Sequence, residues 1–225
     1  FRSRDAVHQP FDCEKMHREL ASLGLQTLDV HSAAPDRHCY LQRPDLGRRL
    51  SLESEQMLKA RQSSPVDLVL VVGDGLSSSA VHRQAVGFIR ALLPYLAELG
   101  LSLAPVVLAR QARVALGDDV GECLRAKAVA MLVGERPGLS SPDSLGIYLT
   151  WSPQRHRLDA DRNCISNIRP EGLPWEAAAF RLAWLLEQAF IRRLTGVQLK
   201  DESDNPALHG RVRPHDQPMN LTMKK

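Results

Sequence analysis

The sequence predicts an α/β protein: a Rossmann-like, mainly parallel sheet with helices on both faces, preceded by a small N-terminal subdomain. Three observations carry that expectation. Short uninterrupted apolar runs recur, as strands buried on both faces produce. Stretches with helical periodicity lie between them, and polar, glycine-bearing turns follow the runs directly. Alternating strands and helices build a sheet covered on two sides.

Residues 1–64 are polar and broken, and read as an N-terminal subdomain or flap. Within them Glu14 to Leu23 spaces Met16, Leu20 and Leu23 helically, Gly24 stops that helix, and Leu25 to Val30 suits a short strand. Asp36 to Leu50 is rich in Arg and Pro and has no clear assignment, and Arg61 to Pro65 reads as a linker. The main domain spans 65–200. Its first strand, Asp67 to Val72, is broken by Gly73-Asp-Gly75. Ser77 to Leu99 follows with helical spacing of Val81, Ala85, Ile89, Leu92 and Leu96, and Pro94 is expected to kink or split that helix. Ala104 to Ala109 is a second strand. Gly117-Asp-Asp then starts a helix with acids at its positive end and Arg125 and Lys127 at its negative end. Ala128 to Val133 and Leu145 to Trp151 are the third and fourth strands. Pro174 opens a long helix with Trp175, Ala178, Leu182, Leu185 and Ala189 along one stripe. Residues 201–225 are polar, with Pro and His, and are expected to form a disordered tail.

With 225 residues and 44% hydrophobic content, the chain can bury a full core. The net charge of +3 comes from arginines spread along the chain, and only 5% of residues are aromatic. Both features argue against nucleic-acid binding. No stretch approaches the length of a membrane span, and no signal peptide is visible. Cys13, Cys39, Cys123 and Cys164 are scattered without C-x-x-C spacing, which implies a reducing cytosol. No pair of histidines stands at i, i+4, so no metal site is expected. The chain begins at Phe1 without Met, which implies that its native start is missing.

Two dense turn-and-polar segments, Gly134 to Ser144 and Asn163 to Pro170, flank the fourth strand, and such loops commonly carry binding residues. Gly73-Asp74-Gly75, Gln111 to Val114, Gly134-Glu135-Arg136 and Ser152-Pro153 each follow directly after a predicted strand. In a parallel sheet all four emerge at the carboxyl edge, where open α/β sheets bind ligands. An antiparallel fourth strand would remove the last of them. Gly73-Asp-Gly75 lacks the third glycine of a dinucleotide fingerprint, and Asp74 would repel phosphate. The same stretch partly echoes the GDSL hydrolase motif, but Gly75 replaces the nucleophile. Glu135 reads either as the partner of a neighbouring arginine or as an acceptor for a polar ligand. Cys164, with no base placed beside it, reads as an inert buried thiol. Ser166 and Asn167 suit turn caps, and Arg169 suits an anion clamp or a pair with Glu171. Asp36-Arg-His38-Cys-Tyr-Leu41 fails the D-x-H-x-x-G motif of proteins that ligate cobalamin through histidine, because Leu41 stands where Gly is required.

The wording of these segments, Gly134-Glu-Arg-Pro-Gly-Leu-Ser-Ser-Pro-Asp-Ser144 and Arg162-Asn-Cys-Ile-Ser-Asn-Ile-Arg-Pro170, resembles the small subunit of ethanolamine ammonia-lyase. The likeness extends from about Asp5, through Leu41-Gln-Arg-Pro-Asp-Leu-Gly47 and Val114-Ala-Leu-Gly-Asp118, to Gly196-Val-Gln-Leu-Lys200. It implies that residues 65–200 form a cobalamin-binding domain and that adenosylcobalamin, with its own base on cobalt, lies between this chain and a large TIM-barrel subunit in a higher hetero-oligomer. The implied reaction is the radical conversion of ethanolamine to acetaldehyde and ammonia, with the substrate pocket on the large subunit and no catalytic residue here. The family's cofactor contacts map onto Val114, Glu135 and Cys164. A cytoplasmic location is expected, with a bacterial microcompartment as the alternative. The rival class is a stand-alone nucleotide- or cobalamin-binding or scaffold module without catalysis. An NAD-dependent oxidoreductase stands third, weakened by the missing glycine fingerprint.

Overall fold

A computed structural model describes residues 9–61, 64–135 and 143–215. α1 (Cys13–Ala21) leads into β1 (Thr27–His31), and the short α2 (Arg37–Gln42) and α3 (Pro44–Gly47) precede α4 (Leu52–Ala60). The chain then alternates through β2 (Val66–Gly73), α5 (Ser78–Leu99), β3 (Val106–Arg110), α6 (Leu116–Cys123) and β4 (Ala126–Gly134). β5 (Leu145–Trp151), β6 (Arg162–Ile168) and α7 (Trp175–Arg192) complete it.

The strands form one six-stranded sheet in the order β1-β3-β2-β4-β5-β6. The first four are parallel, but β5 runs antiparallel to both β4 and β6. The sheet is therefore mixed, which corrects the expectation of a mainly parallel, Rossmann-like one. Connection length explains the reversal. Parallel neighbours need a crossover of about a dozen residues or more, usually carrying a helix. The β2–β3 and β3–β4 connections carry α5 and α6, whereas residues 135–144 and 152–161 are too few.

Helices lie on both faces. Leu68, Leu70 and Val72 of β2 point into a core with α1, α5 and α7, and Val69 and Val71 into a second core with Leu58 of α4 and Leu116 and Val120 of α6. β1, from the N-terminal stretch, pairs with β3 at the sheet edge, and α1 buries Met16 and Leu20 in the first core. α5 is unbroken despite Pro94. Leu92, Leu96 and Leu99 are buried on either side of that proline, and their packing offsets the hydrogen bond it forfeits. Of the residues expected as a tail, 201–215 lie against α5 and α7: Val212 is fully buried and His215 stacks on Tyr95 with ring centroids 4.0 Å apart.

Candidate functional site

Because β2, β3 and β4 are parallel, the loops that follow them open at one edge of the sheet. Gly75 and Leu76 after β2, Ala112 to Val114 after β3, and Gly134-Glu135 after β4 meet around a cavity of about 450 Å3. Tyr40 of α2 and Tyr148 of β5 complete its wall. The reversal of β5 carries Ser152-Pro153 to the opposite edge, so three of the four loops converge. Arg136 lies outside the described residues.

Two loops are locked together by Asp74. Its carboxylate accepts from the backbone N–H groups of Ala112 at 2.9 Å and Gln111 at 3.0 Å, and Gln111 adopts a left-handed φ of 53° to present that N–H. Arg37 stands 3.6 Å from the same carboxylate. Burial pushes the Asp74 carboxyl above its ordinary value, against the pull of these donors and of Arg37. Asp74 is thus a brace for the loop bearing Val114. Tyr40 braces the same loop from the other side, with the guanidiniums of Arg37 and Arg113 each 4.6 Å from its ring centroid. Its hydroxyl donates to the Ala112 carbonyl at 3.3 Å, and burial pushes its pKa up to about 12.

Glu135 is held at the cavity rim through one oxygen. Oε2 accepts from the Ser144 hydroxyl at 2.6 Å and from the Asn167 backbone at 3.2 Å, while Oε1 has no hydrogen-bond partner among the described residues. Gly146 makes the room: a Cβ there would stand 2.9 Å from Oε1. A bulge in β6 supplies the Asn167 donor. Leu145 pairs with Ile168 but Ile147 with Ile165, so β6 has one residue in excess, and Asn167 adopts a φ of 58°. The bulge keeps Ile165 and Ile168 both buried while turning the Asn167 N–H toward Glu135.

Cys164 sits opposite Tyr148 across the β5–β6 pairing, and Tyr148 lines the cavity. The residue is exposed, contrary to the expectation of a buried thiol. Desolvation of its sulfur raises the thiol pKa and the charge of Glu135 adds to that, against an opposing hydrogen bond from Tyr148. The second-face helices end over β4, which leaves this part of the sheet open, with Tyr148 only half-buried and Cys164 and Ser166 exposed.

The family model "Ethanolamine ammonia-lyase light chain (EutC)" matches residues 1–200. The chain belongs to this family. An ethanolamine ammonia-lyase small subunit from Xanthomonas campestris pv. campestris is 54% identical over 209 residues, 92% of this chain and 77% of the relative. Small subunits from Rhodopseudomonas palustris and Pseudomonas aeruginosa are 52% and 53% identical, covering 90% and 92% of this chain and 77% of each relative.

A light chain of ethanolamine ammonia-lyase implies a large-subunit partner and an ammonia-lyase assembly. Among the described residues of this light chain, no helix is long and apolar enough to cross a membrane. The structure brings Val114 and Glu135 to one cavity and sets Cys164 on the adjoining open sheet. Sequence reasoning missed Tyr40, Tyr148 and the bracing role of Asp74. It also missed β6, whose polar residues masked the strand. The signal present was Ile165 and Ile168, three apart in a polar stretch, which is the spacing a bulged edge strand needs to bury both.

Proposed function

We propose that this light chain holds adenosylcobalamin on the open sheet face, against a TIM-barrel large subunit, in a hetero-oligomer that converts ethanolamine to acetaldehyde and ammonia. The observation that carries the reading is the cavity lined by Val114, Glu135 and Tyr148, with Cys164 paired to Tyr148 on the adjoining open sheet. These residues suit a corrinoid. Val114 and Tyr148 offer apolar surface, and Glu135 Oε1 is a free acceptor for the amide groups that fringe such a ring. When bound, the cofactor supplies the radical chemistry, and protein supplies placement and electrostatics. On this chain, Ser144 and Asn167 hold Glu135 in place, while Asp74 and Tyr40 fix the Val114 loop. The base-on state of the cofactor fits a chain without an intact D-x-H-x-x-G motif, since Leu41 stands in the position of the required glycine. A cytoplasmic location, with packaging into a microcompartment as the alternative, accompanies the reading.

The test is ammonia release from ethanolamine by this chain assembled with its large subunit, with and without adenosylcobalamin and with each subunit omitted. Activity that needs all three components is the expected result. An assembled but inactive complex that binds no cobalamin would overturn the reading. Glu135→Ala is expected to weaken cobalamin binding by about 1–3 kcal/mol, the cost of leaving buried donors unpaired. Unchanged affinity would remove Glu135 from the site.

A further inference from the structure

On the same side of the sheet, α6 and residues 152–162 enclose a second hollow of about 310 Å3. Val114 lines the first cavity and Ala115 this one, so the two adjoin along the chain. Five arginines (48, 49, 155, 157 and 162) face Asp118 and Asp119 here, while the third carboxylate, Asp159, is fully exposed. Arg162 takes Asp118 at 2.7 Å, Arg49 and Arg155 share Asp119 at 3.3 and 3.2 Å, and Arg155 also reaches Glu55 at 3.1 Å, so five arginines meet four carboxylates. Arg48 and Arg157 have no carboxylate partner among the described residues. The positive charge is therefore in excess.

Two features show that this excess is built in. Arg162 has a side chain only 3% exposed, yet its Nε makes no hydrogen bond, and the Asp159 carboxylate stands beyond bonding range at 3.6 Å. A buried donor without an acceptor is costly and rare in a folded chain. Arg157 is held in place by giving Nε and Nη2 to the Ser152 carbonyl at 3.1 and 3.0 Å. The loop that presents it contains two left-handed residues, Ser152 at φ 49° and His156 at φ 82°, a strained arrangement that the surroundings must enforce.

We propose that this hollow is a binding site for a phosphate-type oxyanion. Guanidinium forks match the oxygens of such a group, and unpaired donors approach it from several walls at once. Its volume suits a phosphate ester and not a folded acidic segment. The oxyanion is either free phosphate or the phosphodiester of a nucleotide-bearing ligand seated in the adjoining cavity. The second source rests on the cobalamin reading, since cobalamin carries one phosphodiester in its nucleotide tail.

The test is calorimetric titration of the assembled two-subunit complex with inorganic phosphate at constant ionic strength. Saturable binding is expected, with a dissociation constant raised about tenfold by Arg48→Gln and by Arg157→Gln, the loss of one charge-assisted contact. The Arg48 side chain makes no hydrogen bond or ion pair among the described residues, and the backbone contact it makes to Asp45 survives substitution, so its variant separates ligand binding from any disturbance of the loop. Absence of saturable binding, or phosphate heats that neither substitution changes (an adventitious ion only), would overturn the proposal. A competition experiment then names the source. Phosphate that competes with cobalamin but not with cobinamide, which lacks the nucleotide tail, assigns the site to the cofactor's phosphodiester. Phosphate that competes with neither assigns it to a free anion. Failure of cobalamin to bind would count against the lyase reading and leave the phosphate titration to decide this one.

Discussion

A carboxylate at a cavity rim acts through what it is denied as much as through what it holds. Ser144 and Asn167 satisfy one oxygen of Glu135, Gly146 clears space beside the other, and the charge reaches as far as the Cys164 thiol. Because desolvation and that charge hold the thiol above its ordinary pKa, little thiolate forms near neutral pH. Alkylation of Cys164 is therefore expected to be slow at pH 7.5 for an exposed cysteine, and to accelerate in Glu135→Gln as the neighbouring charge is removed, by less than desolvation slows it. Peptide-resolved mass spectrometry of iodoacetamide labelling reads both rates. Equal rates in the two proteins would show that the charge does not act on the sulfur. Glu135 and Cys164 were legible in the sequence through their motifs. Their coupling was not, because it depends on which residue of β5 each one meets.

Among the elements, α6 is tied to β6 by one buried ion pair. Arg162 Nη1 reaches both oxygens of Asp118, at 2.9 and 2.7 Å, and both side chains are 3% exposed. Removing one member of such a pair strands the other charge. Asp118→Ala should therefore destabilise the fold by about 3–5 kcal/mol in denaturant unfolding, and a change under 1 kcal/mol would mean that Arg162 finds water. The attachment of α1 to α5 depends instead on pH. His82 Nε2 accepts the Asp12 backbone N–H at 3.0 Å, and Phe11 stacks on its ring at 5.6 Å. Burial depresses the His82 pKa below 6.5, Lys15 pushes the same way, and Asp12 and Glu19 oppose. A base depressed in the folded state contributes stability that is complete above pH 6.5 and lost as pH falls through the folded value. Protection factors of the amides in residues 11–21, taken relative to the intrinsic exchange rate at each pH, are expected to fall below pH 6.5, and a His82→Gln variant is expected to lose that fall.

Among the described residues, helices cover one side of the sheet along most of its width, while the other is covered only as far as β4. The covered side is completed by residues 201–215, beyond the stretch matched by the family model. There Leu208 O accepts from Trp184 Nε1 at 3.2 Å, the Arg211 N–H donates to buried Glu187 at 2.8 Å, and Val212 is fully enclosed. Truncation after Lys200 uncovers this contact. It should lower Tm by roughly 5–10 °C, the equivalent of a few kcal/mol in a domain of this size. An unchanged melting temperature would show that the segment contributes nothing to the fold.

The sequence by itself determined the strands β1 to β5, the long helices and the three loops that share an edge. Strands buried on both faces are written as apolar runs, and the turns after them as glycine and polar residues. Tertiary structure alone decided the sheet's mixed direction, the bulge that aims Asn167 at Glu135, and the gathering of Arg48, Arg157 and Arg162 around one hollow. These features join residues far apart in the chain, and pairing across such distances leaves no local period to read. The run Leu145 to Trp151 would look the same in either direction. Only the short connection before it and the neighbours it meets turn β5 around, and that turn sets Tyr148 and Cys164 side by side on the open face.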